Sequence, residues 1–237
     1  TALPTPKPTS ECSATFTWKQ DIKTGGGAYR RVAAADLDGD GDAADLVSVD
    51  NSADQLWWFA NDMAGTFTAS QISDYTSSVQ DLGNDVATGD ITGDNSVDIV
   101  VASDKKTRLS LYVNSGDGGT FSQTPIDGGL NDAKSVFVVD VDGDGNNDVV
   151  SAATKSGKEK FYWYENSGAP ATDDDDDTSW GFTPRTIAAQ YPTSVVFVDD
   201  DDLSEVVAVN IYVANVDGDT KLDVLYADDT NCVLAWN

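Results

Sequence analysis

The stretch that decides the fold reads Asp140-Val141-Asp142-Gly143-Asp144-Gly145-Asn146-Asn147-Asp148. Oxygen-bearing side chains occupy its positions 1, 3, 5 and 9, and glycine occupies position 4. The same pattern occurs in residues 36–45, 90–98 and 215–223, with one extra residue before the last Asp of the first copy. In chain order we call these four segments loops 1 to 4, so the stretch quoted is loop 3.

The spacing of the acidic residues predicts that each loop binds calcium. Several carboxylates in one short loop repel one another unless a hard cation lies between them. Calcium accepts about six to eight oxygen ligands in flexible geometry, whereas magnesium prefers a near-ideal octahedron and retains several waters. The glycine at position 4 allows the sharp backbone turn that such a cage needs. The alternative is an acidic surface turn, because Asp, Asn and Gly are common turn residues. The same register in four loops favours the metal site.

The candidate metal ligands are the residues at positions 1, 3, 5 and 7 and the last Asp of each loop. Position 7 is expected to contribute its backbone carbonyl. Loop 2 has a threonine at position 3, so we expect it to bind calcium most weakly. Loop 4 begins with an amide, which still offers a carbonyl oxygen. The full set is Asp36, Asp38, Asp40, Asp42 and Asp45 in loop 1, Asp90, Thr92, Asp94, Ser96 and Asp98 in loop 2, Asp140, Asp142, Asp144, Asn146 and Asp148 in loop 3, and Asn215, Asp217, Asp219, Lys221 and Asp223 in loop 4.

The residues around the loops predict β-hairpins and not EF-hands. An EF-hand loop carries a bidentate Glu at its twelfth position and has helices on both sides. The twelfth residue is Val47 from the start of loop 1 and Ser151 from the start of loop 3, and neither binds metal. Short β-branched runs follow all four loops, and strand-like runs precede loops 1, 3 and 4. Each loop is therefore expected to join two strands.

The repeat extends well beyond the loops. An aromatic or aliphatic strand follows each loop and ends at Asn61, Asn114, Asn166 or Asn237. A fourth strand is predicted after the first three, at residues 65–72, 119–126 and 181–187, whereas the missing fourth strand of the last repeat matches residues 14–22. Four-stranded units with a displaced terminal strand predict an all-β propeller. We expect four blades, anchored at the starts of the four loops, in one domain at 12–237 after a Pro/Thr-rich leader at 1–11.

The two cysteines test this ring closure. Cys12 precedes the displaced strand, and Cys232 lies in the strand with which it would pair. They become neighbours only if the ring closes, so we predict a disulfide between them, worth about 2–5 kcal/mol in an oxidising compartment. The alternative is a pair of unpaired buried thiols.

These features resemble a known family. The acidic loop, the strand ending in Asn and the Gly-Thr-Phe strand are similar to the FG-GAP or VCBS-like propeller repeats of integrin α-subunits, fungal lectins and secreted microbial proteins. The resemblance covers residues 14–237. It implies that calcium in the loops is structural. Family propellers usually have about seven blades, so the four anchors predict either a small ring or one module of a larger assembly.

Composition limits the possible partners. The formal net charge of −27 argues against nucleic acids and anionic membranes, which require a basic surface. The absence of histidine removes Ser-His-Asp and Cys-His catalysis and His-ligated zinc. The chain has no apolar run of membrane-spanning length and no initiating Met, so we expect a processed, secreted, extracellular protein. The acidic runs at 173–177 and 199–202 are expected to be solvated loops, with weak additional calcium contact as the alternative.

Three classes of function remain. The first is an adhesion or assembly module that binds a protein partner or copies of itself, as in a filament or surface layer. The second is a calcium-dependent lectin, with Trp57, Trp58, Trp163 and Tyr164 as candidates to stack on sugars; the alternative for these aromatic residues is packing between blades. The third is a polysaccharide-processing enzyme, but the clustered Asp residues are better explained as calcium ligands. We therefore expect a non-enzymatic protein with no catalytic residue.

Overall fold

A computed structural model describes most of the repeats. The described residues are 21–23, 27–41, 44–62, 64, 66–74, 83–103, 109–116, 119–127, 129–130, 132–155, 158–170, 180–186, 208–214, 223–228 and 233–236. The predictions for the leader, Cys12, Cys232, Asp42, residues 215–222 of loop 4 and both acidic runs lie outside these residues.

All of the regular structure among the described residues is β-strand. The strands are β1 Tyr29–Ala35, β2 Asp45–Asp50, β3 Gln55–Asn61, β4 Phe67–Asp74, β5 Gly83–Gly89, β6 Asp98–Ser103, β7 Leu109–Asn114, β8 Phe121–Asp127, β9 Asp132–Val139, β10 Asp148–Lys155, β11 Lys158–Pro170, β12 Trp180–Thr186, β13 Ala208–Ala214, β14 Asp223–Asp228 and β15 Val233–Trp236. The described part of the chain contains no helix with the length and apolar character needed to span a bilayer.

The strands form antiparallel sheets in sequence order. Three sheets have four strands: blade 1 is β1-β2-β3-β4, blade 2 is β5-β6-β7-β8 and blade 3 is β9-β10-β11-β12. A fourth sheet has the order β13-β14-β15 among the described strands. The strands on either side of each loop pair with each other, as Ala35 with Asp45 and Val139 with Asp148. The hairpins predicted from the sequence are confirmed.

Burial follows the position of a strand within its blade. Every residue of β6 is buried, because this strand carries a continuous Ile-Val-Val-Ala run and has neighbouring blades on both faces. The outermost strand of the same blade, β8, alternates between exposed and half-buried residues. The predicted core therefore lies between blades and not within a single sheet.

Two apolar clusters join the three complete blades. Between blades 1 and 2, Trp58 packs with Ile99 and Tyr112. The second residue of loops 1 and 2 also enters these clusters: Leu37 lies between blades 1 and 2 and is 1% exposed, and Ile91 lies between blades 2 and 3 and is 2% exposed. Loops 1 and 2 are thus anchored in the interface between their own blade and the next.

The first strands of the blades lie side by side around a central cavity. β1 contacts β5, β5 contacts β9, and β9 contacts β13. A cavity of about 300 Å³ lies between β1, β5 and β9, with Arg31 and Asp85 in its wall. This arrangement supports the propeller prediction. Closure through residues 14–22 is not tested by the described residues and stays a prediction.

Candidate metal centres

The first Asp organises the loop backbone in loops 1, 2 and 3. In loop 3, Asp140 Oδ1 accepts a hydrogen bond from Gly143 N at 2.7 Å, and its Oδ2 accepts one from Gly145 N at 3.0 Å. The equivalent contacts are Asp36 with Gly39 and Gly41 in loop 1, and Asp90 with Gly93 and Asn95 in loop 2. Gly143 and Gly145 have φ values of 79° and 96°, a left-handed path that costs glycine least. The Asp at position 1 therefore fixes the same backbone conformation in loops 1, 2 and 3.

The loop backbone brings carboxylates together. One oxygen each from Asp36, Asp38 and Asp40 lie within 4.8 Å of one another in loop 1. Asp140, Asp142 and Asp148 do the same in loop 3. The side chains at positions 3 and 5 are fixed by short turns; for example, Asp144 Oδ1 accepts a hydrogen bond from Asn146 N at 2.8 Å. The structure thus brings together three of the five candidate ligands in each of these two loops, whereas Asp45 of loop 1 and Asp144 of loop 3 lie outside the groups.

The donor set suits a hard cation. All the grouped atoms are carboxylate oxygens, the ligands that calcium prefers. Burial raises the pKa of Asp38, and the charges of Asp45, Asp40 and Asp36 raise it further, although a hydrogen bond from the Asp40 backbone opposes them. A cation held between these carboxylates would relieve that repulsion. The residues of loops 1 and 3 therefore fit a calcium ion, with Asp36, Asp38, Asp40, Asp140, Asp142 and Asp148 available to hold it.

Loop 2 is a different case. Within this fully described loop, no three carboxylates form a group comparable to those of loops 1 and 3. The Oγ1 atom of Thr92, at position 3, is buried and has no hydrogen-bond partner. An unpaired buried hydroxyl at a predicted ligand position is consistent with a site that a cation completes. The weaker binding expected for loop 2 stays a prediction.

The last Asp of loops 1, 2 and 3 has a second role that the sequence analysis missed. Asp98 is 0% exposed, and its carboxylate accepts hydrogen bonds from Ile91 N at 2.9 Å and Asn114 N at 2.8 Å. Asp148 makes the equivalent bonds with Val141 N and Asn166 N. Burial raises the pKa of Asp98 and Asp148, while these backbone hydrogen bonds act in the opposite direction. This Asp therefore ties the start of the loop to the third strand of the blade.

The Asn at the end of the third strand also has a role that spacing alone did not show. Asn114 is 1% exposed and donates its side-chain amide to Leu37 O at 2.7 Å and to Val97 O at 3.0 Å. Leu37 belongs to loop 1, 77 residues away in sequence. The recurrence of Asn at this position was the available signal, but the partner lies in another blade.

Most of the aromatic candidates for sugar stacking belong to the core. Trp58 is 6% exposed, Trp163 is 7% exposed and Tyr164 is 1% exposed, so all three are buried in the core. Trp58 and Tyr164 lie in the clusters between blades, whereas Trp163 packs with Val150 and Ala152 of its own blade. Trp58 also donates its Nε1–H to Asp45 Oδ2 at 3.1 Å. Trp57 is only half-buried, and the Lys23 ammonium lies 2.7 Å from the centroid of its ring.

Comparisons with known proteins agree with the repeat and the fold. Residues 90–151 match the FG-GAP-like repeat family, which confirms the resemblance over the second loop, the third loop and the strands between them. No curated protein sequence matches the chain significantly.

Two solved structures are similar to this chain. A lectin from Agrocybe aegerita, described for its specific recognition of non-reducing terminal N-acetylglucosamine, aligns with 86% of this chain at 21% identity and a TM-score of 0.51. A structure of BBS1N in complex with ARL6DN, soaked with lead, aligns with 88% of this chain at 14% identity and a TM-score of 0.49. The chain spans about half the length of both, 50% and 54% respectively. The likeness to the lectin supports a propeller fold.

Proposed function

We propose that this chain is a calcium-stabilised β-propeller that serves as a non-enzymatic, extracellular binding module for adhesion or assembly. The observation that carries the proposal is the pair of carboxylate groups in loops 1 and 3, built by the same backbone hydrogen bonds at equivalent hairpins. Loops of the same pattern at 90–98 and 215–223 extend the site to four repeats.

Bound calcium would act on stability through the charge of the chain. Four ions would bring the formal net charge from −27 to about −19 and reduce the self-repulsion that opposes compaction. An ion that binds only the folded state stabilises it by about 2.7 kcal/mol at a free concentration of roughly one hundred times its Kd. Calcium binding in the loops would thereby hold the blades rigid enough to present a binding surface. Such loops fit an extracellular setting, where modules with a Kd of about 0.1–1 mM are loaded.

Thermal unfolding in calcium and in excess EDTA tests the calcium part of this proposal. At a free calcium concentration of roughly one hundred times the Kd, two well-formed sites would stabilise the folded state by about 5 kcal/mol. This corresponds to a rise in Tm of roughly 10–20 °C for a chain of this size. Magnesium at the same concentration is the control and should give a smaller rise. The variant Asp38→Asn should lose part of the calcium effect while it keeps the fold, because Asp38 is not buried. Identical melting curves in calcium and EDTA would contradict the proposal.

The binding role rests on the fold. A rigid propeller with an FG-GAP-like repeat suits a protein partner or a second copy of the chain as ligand. Electron micrographs and size-exclusion chromatography of the calcium-loaded protein distinguish self-assembly from binding to a separate protein partner. Ordered multimers favour assembly, whereas a monodisperse monomer favours a separate protein partner.

A calcium-dependent lectin is the second candidate, because one of the four aromatic candidates is accessible. Trp57 is half-buried, and its neighbours on β3 are core residues. A glycan array with the parent protein and Trp57→Ala tests it, and Trp163→Phe, a change in the core, is the matched control. Retention that requires calcium and is lost only in Trp57→Ala would establish the lectin function.

Catalysis is not part of the proposal. Asp85, Asp98 and Asp148 are buried carboxylates with raised pKa values, and each already accepts backbone hydrogen bonds. Asp85 faces the central cavity, but it is held by Ser135, Val136 and Arg31. These contacts indicate structural roles.

A further inference from the structure

The side chain of Asn114 joins two metal loops that belong to different blades. One amide hydrogen goes to Leu37 O, at position 2 of loop 1, and the other goes to Val97 O, next to the last Asp of loop 2. The backbone N–H of Asn114 donates to Asp98 Oδ1 at 2.8 Å, and its Oδ1 accepts from Gly116 N at 3.0 Å. Because its polar groups are all used, this side chain has a single favourable position.

The same arrangement recurs one blade further along. Asn166 is 0% exposed and donates to Ile91 O at 2.8 Å, in loop 2, and to Asn147 O at 2.9 Å, in loop 3. Its backbone N–H donates to Asp148 Oδ1 at 2.8 Å. A second contact supports this junction, since Asn147 Nδ2 donates to Asp90 O at 2.9 Å. Two blade junctions therefore use the same pair of contacts.

The contacted carbonyls belong to residues that are fixed in the core. Leu37 and Ile91 are almost fully buried between blades, and each directly follows the Asp that organises its loop. The amide groups of Leu37 and Ile91 also donate to the last Asp of their own loops. A shift at the start of a loop therefore moves the carbonyl of Leu37 or Ile91, which accepts a hydrogen bond from the Asn of the next blade.

We propose that Asn114 and Asn166 are positioning residues that couple neighbouring calcium loops, so that calcium in one loop raises the affinity of the loop in the preceding blade. The proposal rests on the calcium binding proposed above. An ion in loop 2 orders Asp98 and Val97, which hold Asn114 in place for the carbonyl of Leu37. Coupling between binding sites is reciprocal, so calcium in loop 1 strengthens binding in loop 2 to the same degree.

The experiment reads the loops separately by NMR. The amide signals of Gly39 for loop 1, Gly93 for loop 2 and Gly143 for loop 3 are followed during calcium titration in chelator-buffered solution. Each of these amides donates to the first Asp of its own loop, so each reports on local order. The variant Asp94→Asn weakens loop 2 without touching loop 1.

A double-mutant cycle then isolates the coupling. In the parent chain, Asp94→Asn should weaken calcium binding at Gly39 by at least about fivefold, the low end of typical coupling between sites. Asn114→Ala should weaken it by roughly ten- to a hundredfold, the range for residues that orient metal ligands from outside the ligand set. In the Asn114→Ala background, the addition of Asp94→Asn should leave the Gly39 response unchanged.

Control variants keep the proposal testable if Asn114→Ala unfolds. Asn147 is only half-buried, so Asn147→Ala should fold, and it should weaken the response of Gly93, across the blade junction. In a chain that already carries Asp94→Asn, Asn147→Ala should leave the calcium response of Gly39 unchanged, because the contact of Asn147 across the junction is with loop 2.

Different failures have different meanings. If no glycine signal responds to calcium, the calcium-binding part of the proposed function is wrong, and the coupling is wrong with it. The other outcome is that all three glycine signals respond to calcium, but Asp94→Asn does not change the affinity reported by Gly39 and Asn147→Ala does not change the affinity reported by Gly93. The loops then bind calcium independently, and only the coupling is wrong.

Discussion

The two roles of the last loop Asp can be separated with a pair of substitutions in loop 3. Asp148 is 1% exposed and holds two backbone N–H groups, from Asn166 at 2.8 Å and from Val141 at 2.9 Å. Asp144 is an exposed candidate ligand in the same loop. Asp148→Asn should therefore destabilise the protein even without calcium, whereas Asp144→Asn should do so only in calcium.

The magnitude follows from the hydrogen bonds. An Asn at position 148 offers one acceptor oxygen, so one of the two buried N–H groups loses its partner, at a cost of about 1–3 kcal/mol. Removal of a buried charge offsets part of this, because burial disfavours the ionised form and raises the pKa of Asp148. We expect a net loss of about 1–2 kcal/mol, or roughly 2–8 °C in Tm. Asp144→Asn should change stability by less than about 0.5 kcal/mol in EDTA.

Differential scanning calorimetry in EDTA and in calcium measures both quantities. In calcium, each variant should lose most of the gain that loop 3 contributes to the parent protein. If Asp148→Asn is as stable as the parent in EDTA, the last Asp does not hold the hairpin. If Asp144→Asn retains the full calcium gain, position 5 is not a ligand.

Three further predictions concern pH, the glycines and the cysteines. Burial raises the pKa of Asp85 in the folded protein, so the folded state binds this proton more tightly than the unfolded chain. The stability from this group is present at pH below about 4 and declines as pH rises through the folded pKa. Asp85→Asn should flatten that decline when urea unfolding is measured at increasing pH above about 4. Gly168 has a φ of 70° and a new Cβ would lie 2.7 Å from a loop 3 side chain, whereas Gly143 has a φ of 79° and open space around it, so Gly168→Ala should cost more than the roughly 1–2 kcal/mol of Gly143→Ala. Mass spectrometry of a non-reduced digest should find Cys12 linked to Cys232, and two free thiols would count against ring closure.

The strands and loops could be predicted because their signals are local. β-Branched runs such as Ile99-Val100-Val101 directly follow loops whose acidic spacing can be read from the sequence. The hairpins lie at the positions where such a run adjoins such a loop. The predicted aromatic strand at residues 161–166 is confirmed but longer, since β11 is Lys158–Pro170. Its extension pairs Pro170 with Trp180 of β12, which requires a register shift after Asn166 that no local pattern announces.

The contacts of the asparagines could not be predicted because they depend on packing between blades. Asn166 and Ile91 are 75 residues apart in sequence, and only the placement of one sheet against the next joins them. Likewise, the last Asp of each loop was predicted as a ligand from its spacing, but its hydrogen bonds to Asn114 N or Asn166 N require the third strand. Gly116 has a φ of 71° and lies against Ser96, a constraint that also arises only after folding.

The bonds from Asn114 and Asn166 to the loop of the preceding blade make these two junctions heterologous, with a donor on one blade and an acceptor on the other. Asn114 with Leu37 and Asn166 with Ile91 are two copies of one such junction. Gain or loss of a whole repeat during evolution would leave the remaining junctions chemically matched, because heterologous contacts set no limit on copy number until the rotation closes. The chemistry of these two junctions therefore sets no limit on the number of blades.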